Sequence, residues 1–144
     1  MSLPVPHPSR VIRYAYLWYD EHVRGQEEGI KDRPCVIVLA KHSAGENTMV
    51  TVAPITHTPP LHPEEAVEIP LPTKQRLGLD TARSWVMVNE VNRFLWPGPD
   101  IRPIPERSGT FAYGDLPPAL FRQMKERLLT LAHAERVKPV ARSQ

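Results

Sequence analysis

At 144 residues and 16.4 kDa the chain has the size of one domain with its own core, since domains usually run to roughly 100–200 residues. Its 41% hydrophobic and 24% charged content exclude wholesale disorder and a coiled coil, and no run approaches the ~18 apolar residues of a membrane helix. Eighteen Lys and Arg against sixteen Asp and Glu give a formal net charge of +2, and the pI of about 8.9 falls just short of the range that marks a nucleic-acid binder by charge alone.

The single cysteine, Cys35, has no partner for an intramolecular disulfide. Residues 1–10 carry prolines at 4, 6 and 8 and no apolar segment, so they do not read as a signal peptide. A soluble, reducing, cytoplasmic setting is expected. Proline is the unusual residue: 17 in 144 is about twice the ordinary share of ~5%. Because an interior proline removes a helical hydrogen bond and clashes with the preceding turn, long helices are confined to windows 9–33, 35–53, 73–96 and 119–138.

Residues 11–19 (Val-Ile-Arg-Tyr-Ala-Tyr-Leu-Trp-Tyr) are β-branched and aromatic, with Ile12, Tyr14, Tyr16 and Trp18 on one face at period two, which predicts a strand. Residues 20–33 are charged and contain Gly25 and Gly29, predicting a loop long for a hairpin and therefore of functional interest. Residues 35–40 (Cys-Val-Ile-Val-Leu-Ala) are apolar on both faces, as in a central barrel strand. Residues 49–55 predict its hairpin partner, joined through a turn-like stretch at 42–47. Three prolines mark 57–63 as an irregular surface loop, and a short strand follows at 66–69. Residues 73–79 supply one helical turn ending at Gly78, and 85–94 alternate as a fourth strong strand.

Prolines at 97, 99, 103 and 105 confine the next stretch to edge or loop pieces. The long helix is predicted at about 117–136, where Leu120, Met124, Leu128 and Leu131 recur at helical spacing with Phe121 and Ala132 beside them. Leu116 is its expected N-cap, with Pro117 first inside. Residues 137–144 read as a frayed basic tail and residues 1–9 as a flexible one. The fold class is mainly β (α+β): a small twisted antiparallel sheet or barrel closed by a C-terminal helix, in one domain over 1–144.

The commoner motif-defined chemistries are absent: there is no Gly-rich phosphate loop, Gly-x-Ser-x-Gly elbow or His-Glu-x-x-His. His57 and His62 lie five apart without a matching second pair, so they read as loop histidines and not as metal ligands. Cys35, inside an apolar strand, reads as a small core residue. Trp18, Trp85 and Trp96 read as core or interface aromatics.

Two boundaries remain. Gly25-Gln26-Glu27-Glu28-Gly29-Ile30-Lys31-Asp32-Arg33-Pro34 runs straight into one apolar strand, and Val52-Ala53-Pro54-Ile55-Thr56-His57 leaves the next. This pairing resembles the MazF/PemK family of bacterial toxins, which share a Gly-x-Glu-x loop, an Arg-Pro opening the second strand and a Pro-Ile-Thr ending the third. The resemblance spans about residues 13–132. Val11-Ile12-Arg13 stands where the family usually has Gly-Asp-Ile, and the 25–34 stretch is about one residue longer than the common pattern.

The resemblance implies an SH3-like barrel, usually a homodimer, that cleaves single-stranded RNA without a metal; no cofactor is expected. It places the catalytic arginine on Arg33 and the catalytic threonine on Thr56. A hairpin sets the start of one strand beside the end of the next, so residues 23 positions apart would meet at one rim. The reaction implied is attack of a ribose 2′-OH on the adjacent phosphate, leaving a 2′,3′-cyclic phosphate and a 5′-OH. Arg33 would stabilise the phosphate charge, because a guanidinium with a pKa above ~12 is a poor base. Thr56 would orient the 2′-OH or phosphate, and His57 is the nearby acid–base candidate. Arg24, Glu27, Lys31 and Lys41 are assigned to the RNA-binding side. The expected partners are single-stranded RNA and a cognate antitoxin with an acidic tail. Two other readings fit the same fold: a non-catalytic module binding protein or nucleic acid, and a toxin acting on a protein such as gyrase.

Overall fold

The computed structural model describes residues 5–25, 31–42, 47–107 and 109–142. The fold is a mainly antiparallel, twisted eight-stranded sheet with a few helices, and the sheet is not closed into a barrel. Its strands are β1 (Arg10–Tyr14), β2 (Arg33–His42), β3 (Thr48–Thr56), β4 (Ala66–Glu68), β5 (Trp85–Met87), β6 (Glu90–Trp96), β7 (Ala112–Asp115) and β8 (Lys138–Ala141). The helices are α1 (Tyr19–Val23), α2 (Leu71–Leu77) and α3 (Pro118–His133). No helix among the described residues is long and apolar enough to cross a membrane.

The β2–β3 hairpin is the spine. Over 35–38 and 50–55 both strands are buried on both faces because both faces are covered there. Val36, Val38, Ala53 and Ile55 join Leu116, Met124 and Leu131 in one cluster beneath α3, while Cys35, Ile37, Val50 and Val52 join Ile12, Tyr14, Tyr16 and Phe94 in the other. At ~25 cal/mol per Å² of apolar surface, fully burying such side chains supplies about 1.5–3 kcal/mol each, and this drives the sheet into two layers of core. β3 has three neighbours: β2 along its length, β6 beside Thr48–Val52 and β5 beside Ile55 and Thr56. The fourth strand expected at 85–94 is therefore two strands, broken at Val88 and Asn89 so that the chain follows the bend of β3.

Three other expectations are corrected. Regular β1 ends at Tyr14, although Tyr16 and Trp18 keep to the face predicted for them. α1 then begins, stabilised where Glu21 accepts the Trp18 N–H and Glu90 accepts the Tyr19 N–H. The N-cap of α3 is Pro117 and not Leu116, with Pro118 in the first turn, where its missing N–H has no partner to lose. The basic tail is not frayed: Lys138–Ala141 pairs in parallel with β6, Val140 is buried, and Arg142 bonds Asp100 at 3.0 Å and the Ala15 carbonyl at 2.7 Å. The predicted turn at Gly78 is found, with φ +74° closing α2.

Candidate functional site

The hairpin register delivers the pair singled out by the sequence. Cys35 lies opposite Pro54, so two residues further on Arg33 comes level with Thr56 at one end of the hairpin. Arg33 Nη1 donates to the carbonyl of Ile55, next to Thr56, at 3.4 Å, and its guanidinium stacks 4.9 Å from the Trp18 ring centroid. Its Nε is buried without a hydrogen-bond partner, so this cation retains unused donor capacity. Thr56 is only 8% exposed, and its Oγ1 accepts the Thr58 N–H at 3.2 Å, leaving the hydroxyl proton to donate elsewhere.

Arg33 and Thr56 line a cavity of about 560 Å³. Its walls come from the start of β2, the end of β3, the loop after α2 and the 104–107 segment. Four full cations, Arg13, Lys31, Arg33 and Arg107, face it against three carboxylates, Asp32, Asp80 and Glu106. Two of those carboxylates are already partnered: Asp32 approaches Arg102 at 3.7 Å, and Asp80 bonds Lys74 at 2.6 Å. The field that reaches a ligand is therefore positive, and a concave site concentrates it. Gly78 holds left-handed backbone at the rim, with φ +74°, and a Cβ there would stand 2.1 Å from Arg107 Nη2, so a side chain would displace that guanidinium.

His57 also lines this cavity, with Nε2 2.7 Å from Asp80 Oδ2. Burial alone would raise the Asp80 carboxyl, but the hydrogen bonds and charges of Lys74 and His57 outweigh it and hold the group below its ordinary range. Burial also pushes the Cys35 thiol well up, in keeping with an inert core cysteine. His62 caps a short 3₁₀ turn at Pro63–Glu65 and is exposed. Among the described residues no three His, Cys, Asp or Glu are grouped to hold a metal ion.

A second cavity, of about 340 Å³, adjoins the first through Arg33 and Thr56, which line both. Trp18, Pro59, Pro60, Leu61 and Met87 make it apolar, and the buried Asn89 Oδ1 beside them has no hydrogen-bond partner. Trp18 is thus half-buried and shared between core and site.

Of the residues named from sequence, Arg33, Thr56, His57 and Lys31 come together. Lys41 does not: it is exposed near the other end of β2, eight residues from Arg33, or roughly 26 Å at ~3.3 Å per residue. Arg24 is exposed at the C-terminal end of α1 and is not among the residues that line the cavity. Glu27 lies outside the described residues. Arg13, Arg107, Asp80 and Lys74 were missed. Arg13 was legible as the outward residue of a strand next to β2; Asp80 and Arg107 sit in loop segments without periodicity, and Lys74 lies on the short helix α2.

A family model described as PemK-like, MazF-like toxin of type II toxin-antitoxin system matches residues 14–94. No curated protein and no solved structure matches the chain. The matched stretch runs from the end of β1 into β6 and contains Arg33, Thr56 and His57, and the chain belongs to the PemK-like, MazF-like toxins of type II toxin-antitoxin systems.

Proposed function

We propose that this toxin is an endoribonuclease that cuts single-stranded RNA by using the substrate's own 2′-OH as nucleophile. The observation that carries the reading is the placement of Arg33 and Thr56 side by side at a cationic cavity, with His57 on the same wall. As O2′ attacks phosphorus, the O2′–P bond forms, the P–O5′ bond breaks, and charge accumulates on the non-bridging oxygens. A planar guanidinium with free donors binds two such oxygens at once and needs no reorganisation to do so. Thr56 donates its hydroxyl to the phosphate or aligns the ribose. His57 takes the 2′-hydroxyl proton, and O5′ receives one from water. The products are a 2′,3′-cyclic phosphate and a 5′-OH.

Family membership implies an antitoxin partner. Its acidic segment would occupy the field of Lys31 and Arg33 in place of RNA phosphates, so inhibition and substrate binding would share one salt dependence. A homodimer formed through the face near α3 or a sheet edge completes the proposal; Leu39, Met49 and Leu129 stand exposed on the protein surface. The test is incubation of the purified protein with a long single-stranded RNA in EDTA, followed by analysis of the fragment ends. Cyclic phosphate and 5′-OH ends are expected. Intact RNA, or 5′-phosphate ends, would overturn the reading.

A further inference from the structure

The buried lysine of α2 is the least economical residue in the molecule unless it serves the site. Lys74 is 2% exposed, and moving an ammonium out of water costs several kcal/mol unless its charge and all its protons are matched. They are matched. Its three donors go to Asp80 Oδ1 at 2.6 Å, to Ser84 Oγ at 2.7 Å and to the Ala82 carbonyl. Replacing a buried ion pair as a whole with apolar side chains of similar volume is often neutral or stabilising, so packing alone does not account for the choice of this pair. What Lys74 does achieve is to fix one oxygen of Asp80, a residue whose side chain is otherwise 56% exposed, and to leave the other oxygen on His57 Nε2.

We propose that Asp80, anchored by Lys74, is the positioning residue of His57, setting its tautomer and aiming Nδ1 at the RNA. The inference rests on the nuclease reading above. A carboxylate only accepts, so the 2.7 Å contact requires Nε2 to carry the proton, which leaves the Nδ1 lone pair to take the 2′-hydroxyl proton. The imidazolium that results is stabilised by the same carboxylate as it forms. The other charged groups sharing the cavity with His57 are Arg13, Lys31, Arg33 and Arg107 with Asp32 and Glu106, and none of them replaces Asp80 at Nε2 among the contacts of the described residues.

The experiment is a double-mutant cycle of Asp80→Asn and His57→Gln on the full chain, with single-stranded RNA in EDTA and a thermal melt of each variant. Each single change is expected to lower kcat by roughly 100-fold, the lower end of what a positioned acid–base group supplies, with KM little changed. The double variant should lose no more than His57→Gln alone. Nitrogen-15 NMR of the histidine ring in the unmodified protein reads the bond without any substitution and should show the Nε2–H tautomer. An Nδ1–H tautomer, or an Asp80→Asn loss of the same factor in the His57→Gln background, would overturn the positioning role while RNA cleavage stands. A wild type that cuts no RNA would overturn both.

Discussion

The two ends of the β2–β3 hairpin carry the same kinds of side chain. At one end stand Arg33, Thr56 and His57; at the other stand Lys41, Thr48 and His42, with Thr48 Oγ1 2.7 Å from His42 Nδ1. By residue type alone either trio would serve a phosphate. They differ in enclosure. The Arg33 end is walled by Trp18, the 58–61 loop, the loop after α2 and the 104–107 segment, which form two adjoining cavities around it, whereas Lys41 and His42 are exposed. In open solvent a single cation is screened within about 10 Å at 0.1 M salt, while a donor held in a concave, partly dry site acts at nearly full strength. Enclosure by distant segments, and not composition, separates a site from a solvated strand end.

The sharpest way to break this comparison is to remove the cation at each end. Arg33→Ala should slow cleavage by at least 100- to 1000-fold, about 2.7–4 kcal/mol for a preorganised oxyanion donor, with an unchanged melt because Arg33 fills no core space. Lys41→Ala should stay within about 0.5 kcal/mol, roughly twofold, in both activity and stability. RNA cleavage rates with urea titrations of the same samples check both.

Next in size is Gly78→Ala, which forces a side chain into left-handed backbone and against Arg107. A loss of about 1–2 kcal/mol in urea unfolding is expected, together with weaker RNA binding as Arg107 is displaced. Thr56→Val keeps the shape and removes one hydroxyl, so the expected cost to cleavage is about 0.5–1.5 kcal/mol, at most roughly tenfold. Thr48→Val at the other end loses the His42 contact and should leave cleavage untouched.

A smaller effect is tied to acid. The Asp80 carboxyl is held below its ordinary value of 3.8, so its contribution to stability is fully present above about pH 4 and disappears as pH falls through the lowered folded value. The melting temperatures of wild type and Asp80→Asn should differ at pH 6 and converge below about pH 4. Convergence at higher pH instead would reverse the sign assigned here.

Much of the scaffold was legible because one physical signal dominated each piece. The run at 35–40 is apolar at every position, and its first four residues are buried on both faces, while Leu120, Met124, Leu128 and Leu131 repeat at helical spacing. Gly78 marked the end of α2 through the backbone conformation it permits. Arg33 and Thr56 met because hairpin pairing is local, and the same logic misplaced Lys41, since charge on a strand does not say which end is walled. The tail was misread because Pro139 and three basic residues between 136 and 142 look like solvent, while the partners that order it, Asp100 and Asn92, lie 42 and 50 residues before Arg142. Lys74 and Asp80 were invisible for the same reason: only the loop folded back over α2 shows that this lysine is buried.

The central claim is that RNA meets the protein at the Arg33 end of the hairpin. It is tested most directly by NMR of the labelled protein titrated with a short RNA made uncleavable by 2′-deoxy substitution. The amide and side-chain signals of Lys31, Arg33, Thr56 and His57 are expected to shift with saturation, while those of Lys41, His42 and Thr48 stay in place. Saturable shifts centred on Lys41, His42 and Thr48, with the Arg33 end unmoved, would contradict it.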